Sequence, residues 1–208
     1  MVEIILVRHG LTLWNRTARI QGISDVELSE EGLQQAKLLA EKFPFDEVHA
    51  IYSSDLARAK DTAQFIADKF NLPVQIDPEF REVHFGSWEG KTFAELEKTD
   101  AERVKIFHAS PDKLVIDGAE TFQQAQTRAM NAIKKLVARH ESKNFCRVVV
   151  VTHGCIIRTI LSGILGVPLK NLWRIRQSNT GVTAIHTYDN YFTLSLFNST
   201  AHLPKNLL

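Results

Sequence analysis

The sequence predicts an α/β protein: a three-layer α/β/α sandwich whose sheet is mostly parallel, with antiparallel pairing near the C-terminus. Two observations predict the parallel part. Short apolar, β-branched runs such as residues 2–7 and 147–151 are typical of strands buried on both faces. These runs alternate with amphipathic segments of helical length. A third observation predicts the antiparallel part, because two strand patterns flank the short turn Asp189-Asn190.

The individual elements follow from the same patterns. Strand patterns, short and apolar, occur at residues 3–8, 48–52, 74–76, 148–151, 182–188 and 192–197. Helical patterns occur from the predicted N-cap Ser29 to Phe43, from Ser54 to about Phe70, and at 120–140 and 156–165. Residues 92–117 are mixed and charged, which predicts short helices around a loop. No repeat or linker interrupts the chain, so we expect one domain over residues 1–208.

Composition narrows the classes of partner. With a net charge of +1, the chain has no general attraction for nucleic acid or for an anionic membrane. No secretory leader pattern is present, and the most apolar late stretch is interrupted by Arg158. The two cysteines, Cys146 and Cys155, lack C-x-x-C spacing and are expected to be reduced thiols of a cytoplasmic protein. We expect a monomer or homodimer whose partner is a small molecule.

Two predicted strands end in nearly the same way, the first at Arg8-His9-Gly10 and the later one at Thr152-His153-Gly154. Ligands of open α/β sheets bind just beyond the carboxyl ends of the strands, so the two histidines could share one pocket. Two imidazoles beside a fixed cation suit a phosphoryl group better than a metal ion. Each histidine taken alone is equally compatible with a structural role at a strand end.

The residue types around these histidines fit a phosphate pocket. Arg8 can hold phosphoryl oxygens bidentately and keeps its proton. If Nδ1–H of His9 is bound to a backbone carbonyl, Nε2 presents a bare lone pair to phosphorus. Gly10 is expected to let the backbone approach the anion. If Ser54 caps the helix that follows it, Arg58 lies near the same sheet edge. Taken alone, Arg58 is more typical of a solvated helix residue.

These residues carry a resemblance to a known family. Residues 6–15 resemble the signature of the histidine phosphatase superfamily, the phosphoglycerate mutase-like enzymes. Further blocks resemble that family in the same order: Gln21-Gly22 with Asp25 and Leu28, then 54–63, 81–90 and 150–154. The similarity spans about residues 2–186.

The resemblance implies a role for each matching residue. His9 would be the nucleophile that forms a phosphohistidine, and Glu82 the proton donor. Residues that would hold the phosphoryl group or line its pocket are Arg8, Arg58, His153, Asn15, Gln21, Gly22 and Gly154. Two arginines and a histidine can replace the usual magnesium in phosphoryl transfer, so no metal or cofactor is expected. Glu89 is the rival acid, for which we favour a structural role.

Other functions fit the sequence less well. H-E-x-x-H is absent and the cysteines lack zinc spacing, which disfavours a metal site at the two histidines. G-x-S-x-G is also absent, which disfavours a Ser–His–Asp hydrolase. A non-catalytic module of the same fold could dispense with His9 or Glu82, yet both are present. Phosphatase is favoured over phosphoglycerate mutase because only about 30 residues separate Gly90 from the helix near Glu120. Polar and aromatic residues between them could contact a leaving group or form a solvated face around one core aromatic: Arg103, Lys105, Phe107 and His108.

Overall fold

A computed structural model describes residues 1–141, 144–188 and 191–208. Within these residues one mixed sheet contains β1 (Val2–Arg8), β2 (Ala50–Ser53), β3 (Val74–Ile76), β4 (Cys146–Thr152), β5 (Val182–Tyr188) and β6 (Tyr191–Ser199). The strand order is β3-β2-β4-β1-β5-β6. The first four strands of this order pair in parallel, and β5 is antiparallel to both β1 and β6. The predicted fold class is confirmed, although the turn Asp189-Asn190 lies outside the described residues.

Helices cover both faces of the sheet. The α-helices are α1 (Leu13–Arg16), α2 (Glu30–Glu41), α3 (Ala57–Phe70), α4 (Phe93–Thr99), α5 (Ala101–Ala109), α6 (Phe122–His140) and α7 (Gly154–Ile164). Helices α2 and α3 pack together on one face, and α6 and α7 on the other. The predicted short helices of the 92–117 segment are α4 and α5.

The two helical layers explain why the strands are continuously apolar. Ile4 and Leu6 of β1 belong to the core under α6 and α7, whereas Ile5 and Val7 belong to the core under α2 and α3. All four side chains are inaccessible to solvent. Burying a side chain of this size contributes about 1.5–3 kcal/mol relative to exposure, so both faces of the strand are held in place.

Helix starts agree with the sequence only in part. Ser29 caps α2 as predicted, because its hydroxyl accepts the backbone N–H of Gly32. The prediction that Ser54 caps α3 is wrong: the N-cap is Leu56, with no side-chain cap. Helix α7 begins at Gly154, two residues earlier than predicted, since His153 is its N-cap.

The register of the sheet brings the two histidine-bearing strand ends together. Arg8 is paired with Thr152 across β1 and β4, so His9 and His153 follow at the same edge. Ser53 of β2 is paired with Val151, which places Ser54 there as well. In the described part of the chain, no helix is long and apolar enough to cross a membrane. The cytoplasmic location stays a prediction.

Candidate active site

A cavity of about 250 Å³ opens at this edge of the sheet. The rings of His9 and His153 are both buried, with centroids 5.2 Å apart. The residues that line the cavity are Arg8, His9, Asn15, Ala18, Arg19, Ile20, Gln21, Gly22, Arg58, Glu82, Phe85, Phe93, Phe107, Cys155 and Trp173. The structure thus brings to one cavity most of the residues that the sequence suggested, while His153, whose ring packs against His9, and Gly154 are not among the lining residues.

His9 is held in a form suited to nucleophilic attack. Its Nδ1 lies 2.7 Å from the backbone carbonyl oxygen of Gly10. A carbonyl can only accept, so Nδ1 carries the hydrogen and Nε2 keeps a bare lone pair. Burial, together with the nearby cations Arg58 and Arg8, holds the pKa of His9 well below its ordinary value. The ring is therefore neutral at physiological pH.

Two arginines are fixed beside His9 by backbone carbonyls. Arg8 donates from Nη1 to Gln177 over 2.7 Å, and Arg58 donates to Ser24 over 2.8 Å and to Gly22 over 2.7 Å. Burial, with a contribution from other cations, lowers the pKa of Arg8 to about 10. Burial also lowers the pKa of Arg58. Both Nε atoms are buried with no hydrogen-bond partner among the described residues.

His153 is held through its other ring nitrogen. Its Nε2 lies 2.8 Å from the hydroxyl oxygen of Ser54. Its Nδ1 is buried and has no hydrogen-bond partner within the described residues. Burial is the largest cause that keeps the pKa of His153 well below its ordinary value, followed by Arg58 and His9.

Glu82 is fixed at the cavity wall by the start of α7. Its carboxylate accepts the backbone N–H of Cys155 over 3.1 Å and of Ile156 over 3.2 Å. A third bond comes from the N–H of Val83 over 2.9 Å. The same helix that follows His153 therefore orients the candidate acid, and the positive end of its dipole faces the carboxylate.

Glu89 does not line the cavity. Its carboxylate accepts the backbone N–H groups of Ile23, Ser24 and Phe85 over 2.9–3.0 Å, and the Ser24 hydroxyl over 2.6 Å. Ser24 also holds Arg58 through its carbonyl, so Glu89 acts on the site by fixing the loop that carries this carbonyl. These contacts match the structural role favoured from the sequence.

Three glycines at the site make room for neighbouring groups. A Cβ on Gly10 would lie 2.6 Å from the carbonyl oxygen of Gly32, so its missing side chain makes room for α2. That Gly10 also lets the backbone approach the anion stays a prediction. A Cβ on Gly22, where φ is +53°, would collide with Glu89. A Cβ on Gly154 would lie 3.3 Å from Nε of Arg8. Gly154 therefore leaves space for an arginine.

Asn15 and Gln21 line the cavity and are tied to Thr12. The N–H and hydroxyl of Thr12 donate to the side-chain oxygen of Asn15 over 3.2 and 3.1 Å. The same hydroxyl lies 3.0 Å from the side-chain oxygen of Gln21. Both amide side chains are thus held at their oxygen ends.

Of the aromatic residues that line the cavity, sequence reasoning proposed only Phe107 as a contact of the leaving group. Phe85, Phe93, Phe107 and Trp173 line the cavity, and the Phe107 and Trp173 ring centroids are 4.5 Å apart. These residues are spread over positions 85–173 of the chain, so no local pattern predicts that they meet. In the 92–117 segment, Phe107 is the buried aromatic, whereas Lys105 forms an exposed ion pair with Glu102.

Comparison with known proteins agrees with this geometry. The model of the histidine phosphatase superfamily (branch 1) matches residues 4–200. The chain belongs to this superfamily. The resemblance predicted from the sequence motifs is therefore confirmed. Among the described residues, no group of three or more His, Cys, Asp or Glu side chains is placed to hold a metal ion.

Relatives within the superfamily carry both phosphatase and mutase names. The chain is 36% identical over 208 residues to the metal-independent phosphoserine phosphatase of Arabidopsis thaliana, covering 99% of this chain and 84% of the relative. It is 34% identical over 215 residues to phosphoglycerate mutase-like protein 4 of the same plant, covering 98% and 87%.

Two solved structures of the superfamily superimpose closely. YhfR of Bacillus stearothermophilus has a TM-score of 0.92 at 33% identity, covering 97% of this chain and 99% of that one. A mutant of the phosphoserine phosphatase from Entamoeba histolytica, in complex with phosphoserine, has a TM-score of 0.87 at 33% identity, covering 98% and 100%.

Proposed function

We propose that this protein is a phosphatase that hydrolyses small phosphomonoesters through a phosphohistidine at His9, without a metal ion. One observation carries the proposal. Three buried nitrogens without a partner among the described residues, Nε of Arg8, Nε of Arg58 and Nδ1 of His153, belong to the residues around the bare Nε2 of His9. Unpaired buried donors cost about 1–3 kcal/mol each, and a phosphoryl group satisfies them.

The first step is the transfer of the phosphoryl group to His9. Nε2 attacks phosphorus, the P–N bond forms and the P–O bond to the leaving alcohol breaks. Charge on the equatorial oxygens is stabilised by donors that are already in place, so little reorganisation is needed. Glu82 acts as the general acid and gives a proton to the leaving oxygen.

The second step is hydrolysis of the phosphohistidine. Glu82 is now a carboxylate and takes a proton from water as that water attacks phosphorus. The P–N bond breaks, inorganic phosphate leaves, and Nε2 of His9 recovers its lone pair. Because Glu82 is held by three backbone N–H groups, it keeps one position through both steps.

The rest of the cavity lining supports a phosphatase over a mutase. A mutase must keep the glycerate and its carboxylate bound while the phosphoryl group returns to a hydroxyl of the glycerate. Here four aromatic side chains share the lining with the cation Arg19, which already donates to the carbonyl of Gly90 over 2.6 Å and lies 3.3 Å from Glu95. The phosphatase name and bound phosphoserine of two relatives also support hydrolysis of a small phosphorylated metabolite.

Trapping the intermediate tests the proposal. Phosphatase mixed with radiolabelled p-nitrophenyl phosphate and quenched in base should retain an acid-labile label on the peptide containing His9. His9→Ala should retain none, whereas His108→Ala, a change outside the cavity lining, should label like the wild type. Label on a serine or an aspartate would overturn the nucleophile. In a second arm, 3-phosphoglycerate with a bisphosphoglycerate primer should release inorganic phosphate faster than it forms 2-phosphoglycerate.

A further inference from the structure

Ser54 is a buried residue of this edge to which the steps above give no role. It follows β2 directly and is completely inaccessible to solvent. It does not cap α3, since the N-cap is Leu56. Its hydroxyl oxygen instead lies 2.8 Å from Nε2 of His153 and 3.3 Å from the backbone nitrogen of Leu56.

The direction of these two hydrogen bonds follows from what each group can do. The backbone N–H of Leu56 can only donate, so the Ser54 oxygen accepts from it. The hydroxyl proton then needs an acceptor, and within the described residues Nε2 of His153 is the acceptor in contact with it. A proton on Nε2 would leave the buried hydroxyl proton unpaired, which is unfavourable by about 1–3 kcal/mol. Nε2 of His153 is therefore bare.

The consequence concerns the other nitrogen of the ring. A neutral imidazole carries one N–H, and if Nε2 is bare the hydrogen is on Nδ1. Nδ1 is the buried atom of His153 that lacks a partner among the described residues. The ring thus presents a donor at Nδ1 without having to be charged, in a site that already holds two guanidinium groups.

We propose that Ser54 is a positioning residue: its hydroxyl fixes His153 as the Nδ1–H tautomer, so that this ring donates to the phosphoryl group. The role of the donor rests on the proposed phosphatase function, but the tautomer itself does not. Hydrogen bonding at one ring nitrogen decides which nitrogen carries the proton at the other. With the opposite tautomer, a lone pair of His153 would face the phosphoryl oxygens and repel them.

Nuclear magnetic resonance of the full chain tests the tautomer directly. In protein labelled with ¹⁵N-histidine, long-range ¹H–¹⁵N correlations distinguish a protonated ring nitrogen from a bare one. The chain has 8 histidines, and His153 is assigned through bonds from its backbone. The expected result without any substrate is a protonated Nδ1 and a bare Nε2. A protonated Nε2 in the wild type overturns the proposal, whatever the enzyme proves to hydrolyse.

Variants test whether Ser54 is the cause. Ser54→Ala should shift His153 toward the Nε2–H tautomer and lower kcat/KM by about 10- to 100-fold, comparable to the loss of the outer hydrogen bond that orients a metal-bound histidine. Ser54→Thr keeps the hydroxyl and should keep the wild-type pattern. Ser162→Ala is a matched control, because it removes another buried hydroxyl, one that binds the carbonyl of Val167. It should change neither the spectrum nor kcat/KM.

The outcomes separate three cases. Unchanged His153 resonances in folded Ser54→Ala would show that Ser54 does not set the tautomer, and would overturn the proposal. A changed tautomer together with unchanged affinity for inorganic phosphate would overturn the donor role alone. A changed tautomer with phosphate affinity reduced about 10-fold would support both parts. Should Ser54→Ala fail to fold, the wild-type spectrum remains decisive.

Discussion

The ends of β1 and β4 have nearly the same sequence and present opposite groups to the site. At the end of β1, a backbone carbonyl engages Nδ1 of His9 and leaves the lone pair of Nε2 bare. At the end of β4, the Ser54 hydroxyl lies against Nε2 of His153 and leaves Nδ1 unpartnered among the described residues. With the proposed roles of His9 and His153, the partner of the second ring nitrogen, more than the histidine-glycine ending, decides whether a strand end supplies a nucleophile or a donor.

The largest expected effects come from removing the two histidine rings, which tests whether they have different roles. His9→Ala removes the nucleophile and should lower kcat for p-nitrophenyl phosphate by about 10⁴-fold or more. His153→Ala removes one donor and should lower it by about 10²–10³-fold. Steady-state rates of the two variants, with folding checked by circular dichroism, provide the measurement. Equal losses would contradict the assignment of different roles.

The next prediction concerns Glu82, whose carboxylate is held by α7, the helix that begins after the end of β4. Glu82→Gln should lower cleavage of an alkyl phosphate by about 10²–10⁴-fold, since an alkoxide needs a proton to leave. Nitrophenol leaves as its anion, so p-nitrophenyl phosphate should still give a burst, followed by slow turnover.

Rapid-quench measurement of the burst rate with both substrates tests this prediction. Glu89→Gln is the matched comparison: that carboxylate holds the loop that fixes Arg58 and does not line the cavity, so any loss should be equal for both substrates. A substrate-selective loss in Glu89→Gln, absent from Glu82→Gln, would transfer the acid role to Glu89.

Removing Arg8 or Arg58 tests the contacts that the phosphoryl group is expected to make beside His9. Arg8→Ala and Arg58→Ala should each lower kcat/KM by about 10²–10³-fold, as expected when a preorganised charge contact with the phosphoryl group is lost. Arg103→Ala, a partly exposed arginine that faces Asp100, provides the control and should be unaffected. Kinetics near the wild type for folded Arg58→Ala would contradict a contact between Arg58 and the phosphoryl group and leave this buried side chain a structural role.

The smallest effects concern the two glycines. Gly10→Ala should lower the free energy of unfolding by about 1–3 kcal/mol, because the new Cβ meets the Gly32 backbone 2.6 Å away. Gly154→Ala should change stability less, since its Cβ would meet side-chain atoms of Arg158 and Arg8 at 3.1 and 3.3 Å, farther than the backbone that Gly10→Ala meets. It should instead lower kcat/KM by displacing Arg8. Urea unfolding and steady-state rates measure both, and a larger stability loss in Gly154→Ala would contradict this explanation.

Many residues of the site lie in short contiguous segments of the sequence. Strand β1, the residues 8–10 that follow it, and the acid loop around Glu82 each lie within a few residues, so periodicity and motif are enough to find them. The prediction that Ser54 caps α3 failed because the contact that holds its hydroxyl is not local. A serine before a helix fits the pattern of a cap, and nothing nearby in the chain shows that a histidine about 100 residues away engages its hydroxyl.

By itself, the sequence determined the sheet, the two strand ends and the family, because buried strands and their terminal residues are local patterns. Only the tertiary structure decided which nitrogen of each histidine is free, which carbonyls fix Arg8 and Arg58, and that aromatic rings line the cavity. Each of these depends on contacts between segments far apart in the chain. Such contacts arise from packing and from the register of the strands. The residues next to each group in the sequence therefore do not indicate which hydrogen bonds it makes.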